Sequence, residues 1–425
     1  MMLKTVPFWT DQVPRPSQLP VAQALPEEVD VAIIGGGFTG LNAARILGQH
    51  GISVAVLEQH SIGWGASSRN GGMTTTGLKL GAEEMFRRYG AALGQAFWQA
   101  SLDSIDLIGE IVADEGLNCD FRRKGHVTLA YKENHFQGMI EQARWYKKHL
   151  NHQLDIVSQT DIQREIGSDV FYGGLIDEFS AGLHPAKYVF ELARVVAGYG
   201  VHLCEKTAVT RIERQARNIH LHTSQGVVQA NEVIMATNGY TDLIEPKIKR
   251  RIFPVGSYII VTEPLSTELQ QELSPKQRMF FDSKNFLNYF RLTPDGRMLW
   301  GGRNDLSTDL DLKESAEWLH EQLIYTFPQL RDVPITHTWS GKLGITFDMM
   351  PHIGRVNGIH YAFGYGGHGV SIATYVGTEI GKLLCGQKTT SPFAQIPHNT
   401  MPFYWKRPWF VPFAAMYYRF LDRIS

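Results

Sequence analysis

A glycine-rich segment between a strand and a helix constrains this chain more than any other feature. Residues 29–34 (VDVAII) form a short, β-branched run that predicts a buried strand, and residues 35–50 predict a helix. The junction reads GGGFTG and fits the pattern G-x-G-x-x-G. Gly35 permits a tight turn, Gly37 lets the backbone approach a pyrophosphate, and Gly40 lets the helix pack against the strand. The helix N-terminus adds N–H groups and partial positive charge for phosphates.

A second strand and a carboxylate complete the unit. Residues 53–57 (SVAVL) predict another buried strand, and Glu58 follows it directly. A carboxylate at this position accepts hydrogen bonds from the ribose hydroxyls of adenosine and repels a 2′-phosphate. The βαβ unit therefore predicts dinucleotide binding, by NAD or FAD, and disfavours NADP.

Three further segments favour FAD over NAD. Residues 61–73 (SIGWGASSRNGGM) follow the second strand with small and polar side chains that can lie along a flavin. Residues 236–239 (ATNG) end a buried strand, where a tight turn can pass the middle of the cofactor. Residues 365–370 (YGGHGV) precede a predicted helix whose N–H groups can stabilise negative charge on a reduced flavin.

Composition excludes several classes of protein. The 425 residues carry a formal charge of −1, which argues against a nucleic-acid partner, and 43% are hydrophobic, which excludes a disordered chain. Three scattered cysteines and the lack of paired Cys or HExxH spacing predict neither a disulfide framework nor a metal site. We find no signal peptide and no apolar run long enough to span a bilayer, so we expect a cytoplasmic protein.

The order of the predicted elements gives the fold class. The chain reads as α/β, then as an antiparallel β region over residues 251–303 with a turn at Asp295-Gly296, then as α/β again. This order predicts a discontinuous Rossmann-like domain with an inserted antiparallel-sheet substrate domain. The predicted parts are an N-terminal arm (1–28), an FAD-binding domain (29–80, 155–250 and 335–390), a substrate domain (81–154 and 251–334) and a C-terminal tail (391–425). The tail is aromatic and mildly basic; it either packs on the protein or a partner subunit or lies on a membrane surface.

Together these segments resemble the D-amino-acid-oxidase-like family of flavoproteins, which includes glycine and sarcosine oxidases, and within it the γ-glutamylputrescine oxidase branch. The resemblance covers nearly the whole chain. The motifs that carry it are VAIIGGGFTGLNAARIL (31–47) with Glu58, IGWGASSRNGG (62–72), GLHPAKYVFELAR (182–194), WSGKLGITFDMMPHIG (339–354) and GYGGHGV (364–370).

The resemblance implies FAD-dependent oxidation of a C–N bond in an amine. A hydride leaves the carbon beside the amine for flavin N5, the imine hydrolyses, and dioxygen reoxidises the flavin to give hydrogen peroxide. The partners it implies are a small-molecule amine, such as a γ-glutamylputrescine-like compound, and dioxygen. An oligomer is compatible with it.

Three departures from the family pattern bear on how FAD is held, on the class of substrate and on the electron acceptor. Residues 341–345 contain no cysteine, so FAD is expected to be held without a covalent bond there. The two cations with which sarcosine oxidases hold a substrate carboxylate correspond to Gly72 and Ser371 in an ungapped match, and neither is basic. This favours an amine whose reacting carbon bears no carboxylate. The lysine that activates oxygen in sarcosine oxidases corresponds to Leu299 or Trp300, which leaves the electron acceptor open.

The candidate substrate-pocket residues are Tyr289, Trp300, Arg303 and His368, with sheet packing or a solvated sheet edge as the alternative for the first three. The candidate cofactor-binding residues come from the segments above and from one further strand. They are Gly35, Gly37, Phe38, Thr39, Gly40, Glu58, Gln59, Gly65, Ala66, Ser67, Ser68, Arg69, Asn70, Gly71, Gly72, Met73, Val209, Thr237, Asn238, Gly239, Gly344, Gly366, Gly367, His368, Gly369, Val370 and Ser371.

Two other functions remain compatible with the sequence. One is a flavin dehydrogenase that passes electrons to a quinone at a membrane, for which the aromatic tail is the support. The other is a flavin-binding module without turnover, against which the retained flavin-facing segments argue.

Overall fold

Two large β-sheets and the helices packed on them form the structure, a computed structural model that describes residues 3–216, 218–303, 305–405 and 407–424. The predicted arm and tail extend to Met1, Met2, Lys406 and Ser425, which lie outside the described residues. The described helices are α1 (Phe8–Gln12), α2 (Phe38–Gln49), α3 (Ala82–Asp114), α4 (Glu133–Leu150), α5 (Pro185–Gly198), α6 (Pro246–Lys249), α7 (Thr267–Leu273), α8 (Leu312–Thr326), α9 (Gly369–Leu384) and α10 (Val411–Ile424). The described strands are β1 (Glu28–Ile34), β2 (Val54–Leu57), β3 (Met73–Thr74), β4 (Arg122–Arg123), β5 (His126–Leu129), β6 (Asp155–Ser158), β7 (Gly173–Asp177), β8 (Ala181–Gly182), β9 (His202–Cys204), β10 (Val209–Arg214), β11 (Ile219–Thr223), β12 (Gly226–Met235), β13 (Ile252–Pro264), β14 (Met279–Asp282), β15 (Tyr289–Leu292), β16 (Arg297–Gly302), β17 (Ile335–Thr346), β18 (His352–Val356) and β19 (Ile359–Phe363).

The first sheet has a parallel centre. Its parallel strands run in the order β9-β2-β1-β12-β19, and β10, β11 and β18 add antiparallel pairs. The central strands are buried, as the continuous apolar runs VDVAII and SVAVL predict. Because β1 and β2 are parallel, their carboxyl ends meet at one edge of the sheet, and Gly35 and Glu58 lie side by side there.

The second sheet is almost entirely antiparallel. Its order is β17-β13-β16-β15-β14-β5-β7-β6, and β14 and β5 form its one parallel pair among the described strands. The turn at Asp295-Gly296 joins β15 to β16, as predicted, and Gly296 has a φ of +79°. One face of this sheet packs against α8 in an aromatic core around Phe290, Trp300 and Phe327.

The predicted fold class is confirmed, and strand pairing gives information on the domain limits. Strands β6, β7 and β17 fall within segments predicted for the FAD-binding domain, yet they pair in the second sheet. Strand β17 is long and runs beside β13 from Ile252 to Thr262. An antiparallel neighbour of that length provides more backbone hydrogen bonds than the edge of the parallel sheet does. The domain limits at residues 155 and 335 stay a prediction. The strand pairing favours limits that lie later in the chain, after β7 and after β17.

Helices α2 and α9 approach each other closely through glycine. A Cβ on Gly377 would collide with the backbone oxygen of Thr39, and one on Gly381 would lie 2.9 Å from Cβ of Ile46. The Oγ1 of Thr39 and the hydroxyl of Tyr365 are 2.7 Å apart, so a buried hydrogen bond joins the first turn of α2 to the loop that precedes α9. The two helix N-termini are thereby held next to each other.

Gly40 permits the same kind of approach between α2 and β1, because an added Cβ would overlap the carbonyl oxygen of Gly35. We expect Gly40→Ala to lower the free energy of unfolding of the apoprotein by about 2–3 kcal/mol, since the backbone must shift to relieve the contact. Urea denaturation followed by circular dichroism measures the change.

Gly138→Ala is the matched control. Gly138 lies within α4, and no atom comes within 4 Å of an added Cβ. Alanine is the better helix former, so this variant should gain about 0.5–1 kcal/mol. Equal stability of Gly40→Ala and the wild type would contradict the contact.

Candidate active site

A cavity of about 320 Å³ lies where the carboxyl ends of β1, β2 and β12 face the second sheet. Ile34, Leu57 and Met235 line it from the first sheet, and Ser257 and Tyr289 line it from the second. Ligands of open α/β sheets bind at the carboxyl ends of the strands. The cavity is therefore the candidate site.

The glycine-rich turn forms one end of this cavity. Gly35 has a φ of +111°, which favours glycine, and a Cβ on Gly37 would lie 2.8 Å from Oγ of Ser67. The N–H of Phe38, in the first turn of α2, donates to Ser67 Oγ at 2.9 Å. Glu58 accepts a hydrogen bond from the N–H of Gly36 at 2.9 Å. A narrow turn, a helix N-terminus and a carboxylate thus meet at one place, as a dinucleotide requires.

Residues 61–73 line the cavity along its length, and their polar side chains are tied to the backbone. Asn70 Nδ2 donates to the carbonyl of Ala66 at 3.0 Å, and its Oδ1 accepts from the N–H of Gly72 at 2.7 Å. Arg69 donates to the carbonyls of Trp64 and Ser340, and burial lowers its pKa. Arg69 therefore fixes the segment against the second sheet.

Asn238 joins three segments at the middle of the cavity. It has a φ of +40°, and its Oδ1 accepts from the N–H of Gly364 at 3.0 Å. A Cβ on Gly344 would collide with the same oxygen. The strand end at 236–239, the long strand β17 and the loop before α9 are therefore packed together without room for a side chain at Gly344.

The loop before α9 forms the other end. Gly366 and Gly367 have φ angles of +59° and +111°, and α9 begins at Gly369 with His368 as its N-cap. Burial, with the nearby charge of Lys79, lowers the pKa of His368 to about 4, so its ring is uncharged at neutral pH. Its Nδ1 is buried and has no hydrogen-bond partner in the described protein. A buried polar atom without a partner is costly, so a ligand that bonds to it would relieve this cost.

The structure brings most of the predicted site residues to this cavity. Those that line it are Gly35, Gly37, Phe38, Thr39, Glu58, Gln59, Gly65, Ala66, Ser67, Arg69, Asn70, Gly71, Met73, Val209, Thr237, Asn238, Tyr289, Arg303, Gly344, Gly366, Gly367, His368, Gly369 and Val370. Gly40, Ser68, Gly72, Gly239 and Ser371 are buried beside it without lining it.

Trp300 requires a correction, because its ring does not line the cavity. It stacks on Phe290 with 4.4 Å between ring centroids, in the core against α8. Directly opposed residues of an antiparallel pair share a face, and Trp300 is opposed to Phe290, whereas Tyr289 is opposed to Gly301. Alternation along β16 therefore puts Trp300 on the core face, and Arg303, just beyond its end, lines the cavity with Tyr289.

Tyr289 lies on the cavity side because its neighbours are small. A Cβ on Gly301 would overlap the Tyr289 ring, and one on Gly71 would lie 3.1 Å from it. The hydroxyls of Tyr289 and Ser257 are 3.1 Å apart, and burial raises the pKa of Tyr289. This phenol is therefore neutral and held in one position.

Lys79 is a cavity residue that the sequence analysis misses. Lys79 is exposed, lines the cavity, and stands between the buried Leu78 and Leu80. Burial, followed by the charge of Arg303, lowers the pKa of Lys79 to about 8. Within the described part of the chain, neither Lys79 nor Arg303 forms an ion pair with an acidic side chain. The sequence signal for Lys79 is a single lysine between two leucines, shortly after the segment 61–73.

Comparison with known proteins agrees with this geometry. The family DAO, FAD dependent oxidoreductase, matches residues 30–383. The chain belongs to this family. It is 34% identical over 402 residues to gamma-glutamylputrescine oxidoreductase of Escherichia coli K12, with 93% of each chain covered. It is also 34% identical to a probable oxidoreductase, OrdL, of Haemophilus influenzae, over 85% of this chain and 84% of the relative.

Solved structures share the fold. Glycine oxidase from Geobacillus kaustophilus superimposes with a TM-score of 0.75 over 88% of this chain and 100% of its own, at 20% identity. L-proline dehydrogenase from P. horikoshii superimposes with a TM-score of 0.73 over 87% of this chain and 96% of its own, at 23% identity. The protein is thus an FAD-dependent oxidoreductase of a family that acts on amines and amino acids.

The residues present fit FAD. The Gly37 turn leaves room for a phosphate at the start of α2, and the unpartnered Nδ1 of His368 lies at the start of α9, in the other end of the same cavity. Cys119, Cys204 and Cys385 do not line the cavity, and the absence of a covalent bond to FAD stays a prediction.

We expect Glu58→Ala to weaken FAD binding by about 10- to 100-fold, because the ribose hydroxyls lose the charged carboxylate to which they would donate hydrogen bonds. Ultrafiltration of the holoenzyme followed by flavin fluorescence of the filtrate measures the dissociation constant.

Glu232→Ala is the control for this change, since Glu232 is a half-buried carboxylate on β12 that pairs with Arg355 and does not line the cavity. Equal FAD retention by Glu58→Ala and Glu232→Ala would show that the ribose contact is misplaced.

Proposed function

We propose that the protein oxidises the C–N bond of an amine that also carries a carboxylate at a distance from the reacting carbon, as γ-glutamylputrescine does. Lys79 and Arg303 carry this proposal, because these two cations line the cavity with Tyr289 and have no acidic partner among the residues that the structure describes. The relation to gamma-glutamylputrescine oxidoreductase supports it. When bound, FAD supplies the acceptor for the hydride that leaves the carbon beside the amine.

The protein's own contribution to the reaction is binding and orientation. The turn at Gly35 to Gly40 and Glu58 would hold the pyrophosphate and ribose, and the start of α9 with His368 would hold the flavin end. Tyr289, fixed by Ser257, would form the wall against which the substrate lies. An enclosed site that positions the C–H bond and excludes water is the main requirement of this chemistry.

Lys79 and Arg303 would have two effects on such a substrate. They would donate charge-assisted hydrogen bonds to its carboxylate. Their positive charge would also lower the pKa of the substrate amine, because nearby cations disfavour an ammonium ion. The neutral amine is the form that gives up a hydride, so both effects favour the reaction.

The overall reaction is balanced with dioxygen and water as co-reactants. The amine loses a hydride and a proton to become an imine, water hydrolyses the imine to a carbonyl compound with release of ammonia or a smaller amine, and dioxygen takes up the two electrons as hydrogen peroxide. A quinone as acceptor is the second candidate. The exposed aromatic residues of the C-terminal tail are its support.

The decisive test is a screen of the holoenzyme over γ-glutamyl amines, polyamines, methylated amino acids and D-amino acids. We expect turnover of γ-glutamylputrescine with equimolar formation of hydrogen peroxide, measured by a peroxidase-coupled assay and by amine consumption. Consumption of amine without peroxide, sustained by an added quinone, would contradict dioxygen as acceptor. No bleaching of the flavin by any amine under anaerobic conditions would contradict the activity itself.

A second test concerns Lys79. Lys79→Met should raise the KM for γ-glutamylputrescine by about 10- to 100-fold, because one charge-assisted hydrogen bond is lost. The KM for N-acetylputrescine, which has no carboxylate, should change little. In the wild type, the KM for γ-glutamylputrescine should rise as the pH passes about 8, since the lysine is charged below its pKa and neutral above it.

Lys79→Arg is the matched control, because arginine keeps its charge throughout this pH range. It should remove the rise in KM near pH 8 while FAD retention stays unchanged. A rise of the same size in Lys79→Arg and in the wild type would show that another group titrates.

A further inference from the structure

The C-terminal segment exposes an unusual concentration of large apolar side chains. Of the fifteen large hydrophobic residues that the described part of the chain exposes, seven lie in residues 403–420. Six of these expose 52–67% of their area, and we call them the aromatic surface: Trp405, Trp409, Phe413, Met416, Tyr417 and Phe420. Elsewhere such residues are scattered singly, which is normal, whereas a contiguous patch marks an interaction site.

Contacts with the rest of the protein fix which side of α10 faces outward. The Asp422 carboxylate accepts hydrogen bonds from the backbone N–H groups of Asn285 and Phe286, at 2.8 and 3.0 Å. Val411 and Ala415 are buried on the inner side. The outer side is therefore set, and it carries Phe413, Met416, Tyr417 and Phe420.

The spacing of these four residues makes the outer side one continuous apolar stripe. They stand at positions i, i+3, i+4 and i+7 of the helix, which share one face. Trp409 stands four residues before Phe413, so the stripe continues from the segment that precedes the helix.

Basic residues border this surface. The guanidinium of Arg250 lies 4.8 Å from the ring centroid of Trp405, and Lys247 and Arg407 are exposed beside them in the chain. Residues 403–420 contain three basic residues and no acidic one. Glu245, two residues before Lys247, is already paired with Arg214. Arg419 pairs with Asp305, so the positive charge beside the tryptophans comes mainly from Lys247, Arg250 and Arg407. The surface thus combines tryptophan, other large apolar groups and positive charge.

We propose that the aromatic surface docks the protein on the surface of an anionic lipid bilayer. Tryptophan and tyrosine favour the boundary between head groups and acyl chains, and an amphipathic helix with basic neighbours lies in that plane. Lysine and arginine near the bilayer are attracted to anionic head groups. The protein lies on the bilayer and does not cross it, since no helix in the described residues is long and apolar enough to span one.

Charge favours a bilayer over a second copy of the chain as the occupant. A two-fold interface brings the same patch of both copies together. Arg250, Arg407 and Lys247 of both copies would then lie in one interface, and like charges at an interface are unfavourable. Anionic lipids neutralise the same cations.

The test uses the holoenzyme and sedimentation with vesicles of phosphatidylglycerol and phosphatidylcholine in equal parts. We expect binding that is about tenfold or more weaker to vesicles of phosphatidylcholine alone. Trp409→Ser, Phe413→Ser and Phe420→Ser combined should lower binding by at least about tenfold. These side chains are exposed, so FAD retention and thermal stability should not change.

Two matched controls accompany these variants. Ile156→Ser, Val227→Ser and Tyr325→Ser combined remove three exposed apolar groups elsewhere and should leave vesicle binding unchanged. Lys247→Glu with Arg407→Glu should lower it about twentyfold, whereas Lys147→Glu with Lys148→Glu, on the exposed side of α4, should have little effect.

Three outcomes would overturn the proposal. One is the absence of wild-type binding to anionic vesicles. Another is equal binding by the aromatic triple variant and its control. The third is a wild-type dimer, seen by sedimentation velocity without lipid, that the aromatic triple variant disperses, because the surface would then be an interface between two copies.

Discussion

The close contact between α2 and α9 is the feature on which the cavity depends. Gly377 and Gly381 let α9 approach the backbone of α2, and the hydrogen bond between Thr39 and Tyr365 joins the first turn of α2 to the loop that precedes α9. Each helix begins beside the cavity, so two sets of N–H groups and two positive dipole ends act on the same enclosed space. A larger residue at Gly377 would separate the helices and with them the two ends of the cofactor site.

The two sheets contribute different surfaces to the site: the first contributes one edge and the second contributes one face. The first sheet contributes the carboxyl ends of parallel strands, where turns and Glu58 gather. The second sheet contributes one face, on which alternation separates Tyr289 and Arg303 from Trp300 and Phe290. The proposed cofactor residues therefore come mostly from turns. Of the proposed substrate residues, Tyr289 lies on β15, Arg303 directly follows β16 and Lys79 lies in a bend. A rigid strand positions a side chain more accurately than a loop does, which suits a site that works by orientation.

Sequence reasoning predicts the local units well, because their causes are local. The βαβ unit follows from two apolar runs and the glycines between them. The cofactor end of the site depends on the same signals. The substrate end depends on which face of a strand points inward and on which distant strand is its neighbour. That is why Trp300 is misplaced, Lys79 is missed and β17 pairs in the second sheet, since all three are decided by long-range packing.

The distance along the chain between α2 and α9 has a consequence for how the protein is made. Residues near Thr39 and residues near Gly377 complete the same wall, and β1 and β19 both pair with β12 in one sheet. During synthesis the βαβ unit with α2 emerges long before α9. Helix α2 can pack against α9 only after more than 300 further residues have been added. Contacts of such high sequence separation form slowly, because a long loop has to close first. Both ends of the cofactor site are therefore in place only after α9 has been synthesised.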